Sequence, residues 1–217
     1  MKKLFIFAII CAFILTGCSD SDTNNYIKDM KKLKEINPDF YGWLKVSGTD
    51  IEYPVVQTQD NEYYLNYNFN KERSRRGSIF CDYRNDRDIS NNRNIILYGR
   101  NMLDGSMFCP LVKEYVKEEI FQNGIIELTT EDAIYYYQVF SAREEDPTYN
   151  YRQTDFDSDE EYIDFLYTMK ERSIFHKNIV LDEHSQIITL STSINDIKRD
   201  IRFTIQGVLI DVVFTDN

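Results

Sequence analysis

The chain predicts a mainly β domain, a closed barrel of about eight strands, and three observations carry that expectation. Sixteen Tyr and fourteen Phe stand against eight Gly, a bias toward side chains that pack well on a pleated, half-buried surface. Short apolar or alternating runs recur at irregular spacing over most of the chain, which favours a barrel or sandwich over a doubly wound sheet. Helical periodicity surfaces in only three places, one leading and two inserted among the strands. At 217 residues and 42% apolar content, the chain is long enough for one domain with a real core, and no repeat or second domain is visible.

The N-terminus is read apart from the domain. Lys2 and Lys3 precede an unbroken apolar run from Leu4 to Leu15, a positive n-region and an h-region shorter than the roughly 20 residues of a membrane span. The run closes on Leu15-Thr16-Gly17-Cys18, which resembles the bacterial lipobox. That resemblance implies cleavage before Cys18 and attachment of a diacylglyceryl group to its sulfur. Residues 1–17 are then a lipoprotein signal peptide and residues 18–25 a polar tether. The chain is expected on the extracellular face of the bacterial cytoplasmic membrane, held there by its lipid. A plain secretory signal or an uncleaved anchor helix are the other readings of the same run.

The domain, 26–217, opens with apolar side chains at 26, 27, 30, 33 and 36, the spacing of a short amphipathic helix. Strands are then expected over 51–56, 77–81, 94–98, 124–129, 133–141, 178–181, 186–192 and 201–214. Pro110 is placed to open a helix that presents Leu111, Val112, Tyr115, Val116 and Ile120 on one face. Ser158, followed by Glu161, makes a capping-box pattern for a helix running to about Arg172. The acids Asp155, Asp157 and Asp159 lack the glycine and the terminal Glu of a calcium loop. They fit better as the anionic start of that helix, and no metal or other cofactor is expected.

The net charge of −11 argues against nucleic acid, whose phosphates need a basic face. With Cys11 removed and Cys18 acylated, Cys81 and Cys109 remain as thiols that either pair or stay free in an oxidising compartment.

One segment has the texture of a site. Asn94–Tyr98 is an apolar strand that runs into a polar, glycine-bearing loop. The loop reads Tyr98-Gly99-Arg100-Asn101-Met102 and then Gly105-Ser106-Met107-Phe108; farther on come Thr189-Leu190-Ser191-Thr192-Ser193 and Arg202-Phe203. These motifs, in this order, resemble the class B sortases, and Trp43, Ile51–Val56, Asn61–Leu65 and Gly77–Asp82 are similar to the same family. The resemblance spans about residues 37 to 214. It implies a sortase-type barrel, with a histidine as acid or base at position 100, a nucleophilic cysteine at position 193, and an arginine at Arg202 that holds substrate or the developing oxyanion. Arg199 is a rival for the last role. Tyr98, Asn101, Met102, Ser191 and Thr192 become candidates for the substrate groove.

Two departures decide the functional expectation. A hydroxyl is not ionised near neutral pH, so Ser193 needs a dedicated base, and a guanidinium carries no acceptor. His184 precedes Ser193 by nine residues on what reads as one strand, about 30 Å away if extended, and His176 reads as a surface or turn residue. Cys109, after the loop that bears Arg100, is the alternative nucleophile. The chain is therefore expected to be a lipid-anchored sortase B-like surface protein without transpeptidase chemistry. It would bind a sorting-signal-like peptide, a cell-wall (peptidoglycan) precursor or a protein partner. The alternative is an active class B-type sortase with Ser193 or Cys109 as a rewired nucleophile.

Overall fold

The computed structural model describes residues 29–194 and 199–214. The expected signal peptide, the tether with Cys18 and the first residues of the leading helix lie outside them. The described part of that helix, α1, covers 29–36. Eight strands follow: β1 (Phe40–Val46), β2 (Glu52–Val56), β3 (Ile79–Cys81), β4 (Asn94–Tyr98), β5 (Ile125–Thr129), β6 (Ala133–Glu145), β7 (Ile187–Ile194) and β8 (Ile201–Phe214). They close in the order β1-β2-β3-β4-β7-β8-β6-β5. Two contacts are parallel, β2 with β3 and β4 with β7; the other ladders are antiparallel. Closure leaves no sheet edge to template another chain.

Strand alternation sorts the side chains. Leu44, Val55, Ile95, Leu97, Leu128, Val139, Leu190 and Ile205 point inward to one continuous core. Each such side chain, fully buried, contributes on the order of 1.5–3 kcal/mol of transfer free energy. A second cluster forms on the outer face of β6, β7 and β8, where Phe140, Ile187 and Val208 meet Tyr162, Leu166 and Met169. The last three belong to helix α4 (Asp159–Glu171), whose N-cap Ser158 accepts from the Glu161 amide at 3.2 Å. The acids Asp159, Glu160 and Glu161 occupy its first turn, as the capping pattern predicts.

The first inserted helical stretch is broken into α2 (Cys109–Glu114) and α3 (Glu118–Gln122), with Lys117 extended between them. Across the break Leu111, Tyr115 and Phe121 all turn into the core, while Val116 is left about half exposed. Two strand expectations are corrected. Residues 40–46, not read as a strand, form β1, while 178–181 form none. There Val180 is 83% exposed and only Leu181 is buried. His184 is not on the strand of Ser193 but in the turn before β7, where its amide N–H donates to the Asp182 carboxylate at 3.1 Å. Cys81 and Cys109 are both free and buried.

On the outer face of β6–β8–β7 the register lines up polar residues. Ser193 sits opposite Arg202, and Arg202 opposite Glu145. One row deeper, Ser191 faces Thr204 and Thr204 faces Arg143. Arg143 and Glu145 are buried and joined at 2.8 Å, and Glu145 also takes Arg172 at 2.5 Å. Burial pulls the Arg143 guanidinium below its ordinary value despite that partner, so the pair is held by its mutual geometry.

Candidate functional site

The parallel β4–β7 contact brings the two motif strands side by side, with Tyr98 opposite Ser191. The Gly99 amide extends that ladder to the Ser191 carbonyl at 3.2 Å. Glycine is required here, since a Cβ would stand 2.5 Å from Ile79 Cδ1 and 2.7 Å from Phe108 Cδ2. The chain then leaves the barrel rim at Arg100, whose carbonyl accepts from the Phe108 amide at 2.9 Å. β8 completes the site by placing Arg202 directly across from Ser193. Of the two candidate arginines, Arg202 lines the groove across from Ser193 and Arg199 does not.

These residues share a groove of about 290 Å³ lined by Asn61, Leu65, Phe80, Tyr98, Gly99, Arg100, Tyr151, Arg152, Ser191, Thr192, Ser193 and Arg202. A larger cleft of about 800 Å³, between Lys34, Arg87, Tyr135 and Phe214 among others, holds none of the motif residues; chemistry and not size singles out the groove. Of the expected groove residues, Tyr98, Ser191 and Thr192 line it. Asn101 and Met102 do not: the chain doubles back on itself after Arg100, so that Asn101 bridges to Met107 and Met102 packs on the main core. Asn61, Leu65, Phe80, Tyr151 and Arg152 were not expected. The first three lie in stretches that resemble the family, which was the available signal. Tyr151 and Arg152 come from the segment before α4, which carries no motif.

The groove walls are held by buried polar contacts. Tyr98 donates to Asp82 Oδ2 at 2.8 Å, and Asn61 Nδ2 donates to the same oxygen at 3.1 Å. Arg84 closes on both carboxylate oxygens at 2.9 and 2.8 Å. Burial alone would raise the Asp82 carboxyl, but the Arg84 guanidinium, the Arg84 amide and the Tyr98 hydroxyl outweigh it and hold the pKa below its usual value. Burial and the Asp82 charge push Tyr98 well above the ordinary phenol range, so it stays a neutral donor. On the opposite wall the hydroxyls of Tyr151 and Ser191 are 2.9 Å apart.

Arg100 donates from Nε to the Leu65 carbonyl at 3.0 Å and reaches Asn66 Oδ1 with Nη2 at 3.5 Å. Arg202 pairs with Asp200 at 3.0 Å. Among the described residues that line the groove there is no His, Cys, Lys, Asp or Glu, hence no side chain suited to take a proton from Ser193 at neutral pH. His184 is solvent-exposed beside Glu183, and His176 is exposed near α3, its carbonyl accepting from Gln122 at 3.1 Å. Cys109 is buried at the start of α2 and Cys81 at the end of β3, and neither lines the groove. Burial also pushes the Cys81 thiol far above its normal range, which leaves it inert as a nucleophile.

No protein-family model matches the sequence. The chain is 34% identical over 194 residues to sortase B of Listeria monocytogenes, covering 88% of this chain and 78% of that protein. Among solved structures, sortase B of Bacillus anthracis superposes with a TM-score of 0.77 at 41% identity, covering 85% of each chain. A mutant form of Clostridium perfringens sortase B, with serine in place of a cysteine, superposes at 0.81 with 33% identity over 89% of this chain and 92% of that one.

Proposed function

Because this chain belongs to the sortase B family, and because Arg100 and Ser193 stand where the family resemblance puts histidine and cysteine, we propose that it uses the substrate groove to bind without transpeptidation. The ligand is a sorting-signal-like peptide or a cell-wall precursor, presented at the outer face of the membrane to a chain anchored through a lipid on Cys18. One observation carries this reading: Ser193 and Arg202 are paired across β7 and β8 in a groove whose described lining offers no proton acceptor. A serine hydroxyl without a base is a hydrogen-bonding group, not a nucleophile. The intact groove, with its Tyr98–Asp82 and Tyr151–Ser191 supports, favours retained binding over a purely structural partnership.

The test incubates the purified full-length chain with class B-type sorting peptides and measures both binding and cleavage. Saturable binding with no cleavage and no acyl-enzyme is the expected result. Turnover abolished by Ser193→Ala would replace this reading with a rewired serine enzyme, and absence of binding would replace it with a structural role.

A further inference from the structure

The lining of the groove carries three guanidiniums, from Arg100, Arg152 and Arg202, and among the described residues that line it no carboxylate. This concentration of positive charge occurs in a chain with 36 acidic residues against 25 basic ones. Two of the three are partnered by neutral acceptors. Arg100 donates to the Leu65 carbonyl and the Asn66 side chain. Arg152 donates to the Pro147 carbonyl at 3.0 Å and lies over the Tyr151 ring at 5.4 Å. Arg202 has Asp200, but that carboxylate side chain is 65% exposed, and a water-screened pair is weak enough to yield to a better-placed anion. Carbonyl partners leave the formal charge of a guanidinium uncompensated, and its planar fork matches a carboxylate.

Resting on the binding reading above, we propose that the groove captures the free C-terminal carboxylate of a peptide, with Arg100 and Arg202 as its cationic clamp and the Ser193 hydroxyl as a further donor. The same exchange that removes an acid–base group and a thiol from the site installs a fixed cation and a neutral donor. That is the equipment for holding a carboxylate, not for cleaving an amide. An uncleaved peptide without acidic side chains would pass only neutral carbonyls through the groove and would leave the clamp unfilled. A terminal carboxylate is also favoured over phosphate by the whole-molecule charge of −11, which repels a dianion or a polyanionic polymer more than a single charge at the end of a neutral chain.

The experiment uses the full-length wild-type chain and two probes, N-acetyl-tetra-alanine with a free carboxylate and the same peptide as its carboxamide, followed by NMR titration. The carboxylate form should bind at least about tenfold more tightly, the size expected for one charge-assisted contact. Raising salt should narrow the difference. Arg100→Gln and Arg202→Gln should each erase most of the preference, whereas Lys113→Gln, a charge removed from the exposed surface of α2, should leave it intact. Equal affinity for the two peptides, or a preference that survives both arginine substitutions, would overturn the proposal. Inorganic phosphate that competes better than the carboxylate would overturn it in favour of a phosphate-bearing ligand. The comparison on wild-type protein needs no variant to fold. It also separates from the reading it rests on, since a chain that binds sorting peptides without distinguishing carboxylate from carboxamide loses only the clamp.

Discussion

The Tyr98 hydroxyl donates to Oδ2 of Asp82 at 2.8 Å, and the carboxylate that receives it is completely buried. The same oxygen takes Asn61 at 3.1 Å, so one anion at the end of β3 fixes two groove residues from different parts of the chain.

Asp82→Asn should therefore loosen the groove and destabilise the fold together. Loss of hydrogen bonds to a charged group costs about 1.5–3 kcal/mol, read as a lower midpoint in urea. The pH dependence has a definite sign. Because the folded carboxyl titrates below its usual value, its contribution is complete above the unfolded value of about 4 and is lost as pH falls through the folded one. The gap in stability between wild type and variant should close as the pH is lowered below about 4, and a gap independent of pH would refute the assignment.

Glu145→Gln should be more damaging than its position at the barrel rim suggests. It leaves the Arg143 guanidinium buried without its carboxylate, a situation that costs about 3–5 kcal/mol. Arg172→Gln touches the same carboxylate from an exposed position and should cost under about 1 kcal/mol. Equilibrium denaturation of the two variants side by side distinguishes them, and equal losses would show that the network does not act as described.

Ser193→Cys alone should shift stability by less than about 1.5 kcal/mol, since the volume scarcely changes. It should not restore catalysis, because the Arg100 guanidinium holds its protons too tightly to hand one to a leaving amine. Arg100→His combined with Ser193→Cys should recover cleavage or a trapped thioester with sorting peptides. General acid–base help is worth about 10² to 10⁴ in rate, and the two changes should combine non-additively. Cleavage by the single Ser193→Cys variant at the level of the double would contradict the role given to position 100.

Cys18→Ala should block lipidation and leave a precursor held, if at all, by its uncleaved signal. Intact-mass analysis of membrane-extracted wild type should show a diacylglyceryl adduct on an N-terminal Cys18. A mature chain that begins elsewhere without lipid would refute the anchoring.

Much of this architecture was legible because the barrel strands alternate and the site motifs are contiguous in sequence. Tyr98, Ser193 and Arg202 each sit near a strand end and Arg100 in the loop just after β4, and the family resemblance singled out all four. β1 was not legible because Phe40-Tyr41-Gly42-Trp43-Leu44 shows no alternation. Phe40 and Tyr41 are both buried, and a bulge interrupts the ladder between Phe40 and Gly42. The apolar run at 178–181 misled for the opposite reason, since hydrophobicity without a pairing partner makes no strand. Tyr151 and Arg152 reach the groove only through tertiary packing, Tyr151 by its hydroxyl contact with Ser191, and nothing local in the sequence announces such a contact.

The parallel β4–β7 contact also bears on how the domain comes into being. It joins residues 94–98 to residues 187–191, so a long intervening loop must be closed before the pairing returns any free energy. Pairings so distant in sequence form slowly compared with hairpins. Tyr98 and Gly99 meet Ser191 only when this seam zips, so the groove that lies between the two motif strands is complete only once the barrel has closed. Ligand capture, watched in real time during refolding, should then lag behind the appearance of β-structure and serve as a clock for barrel closure.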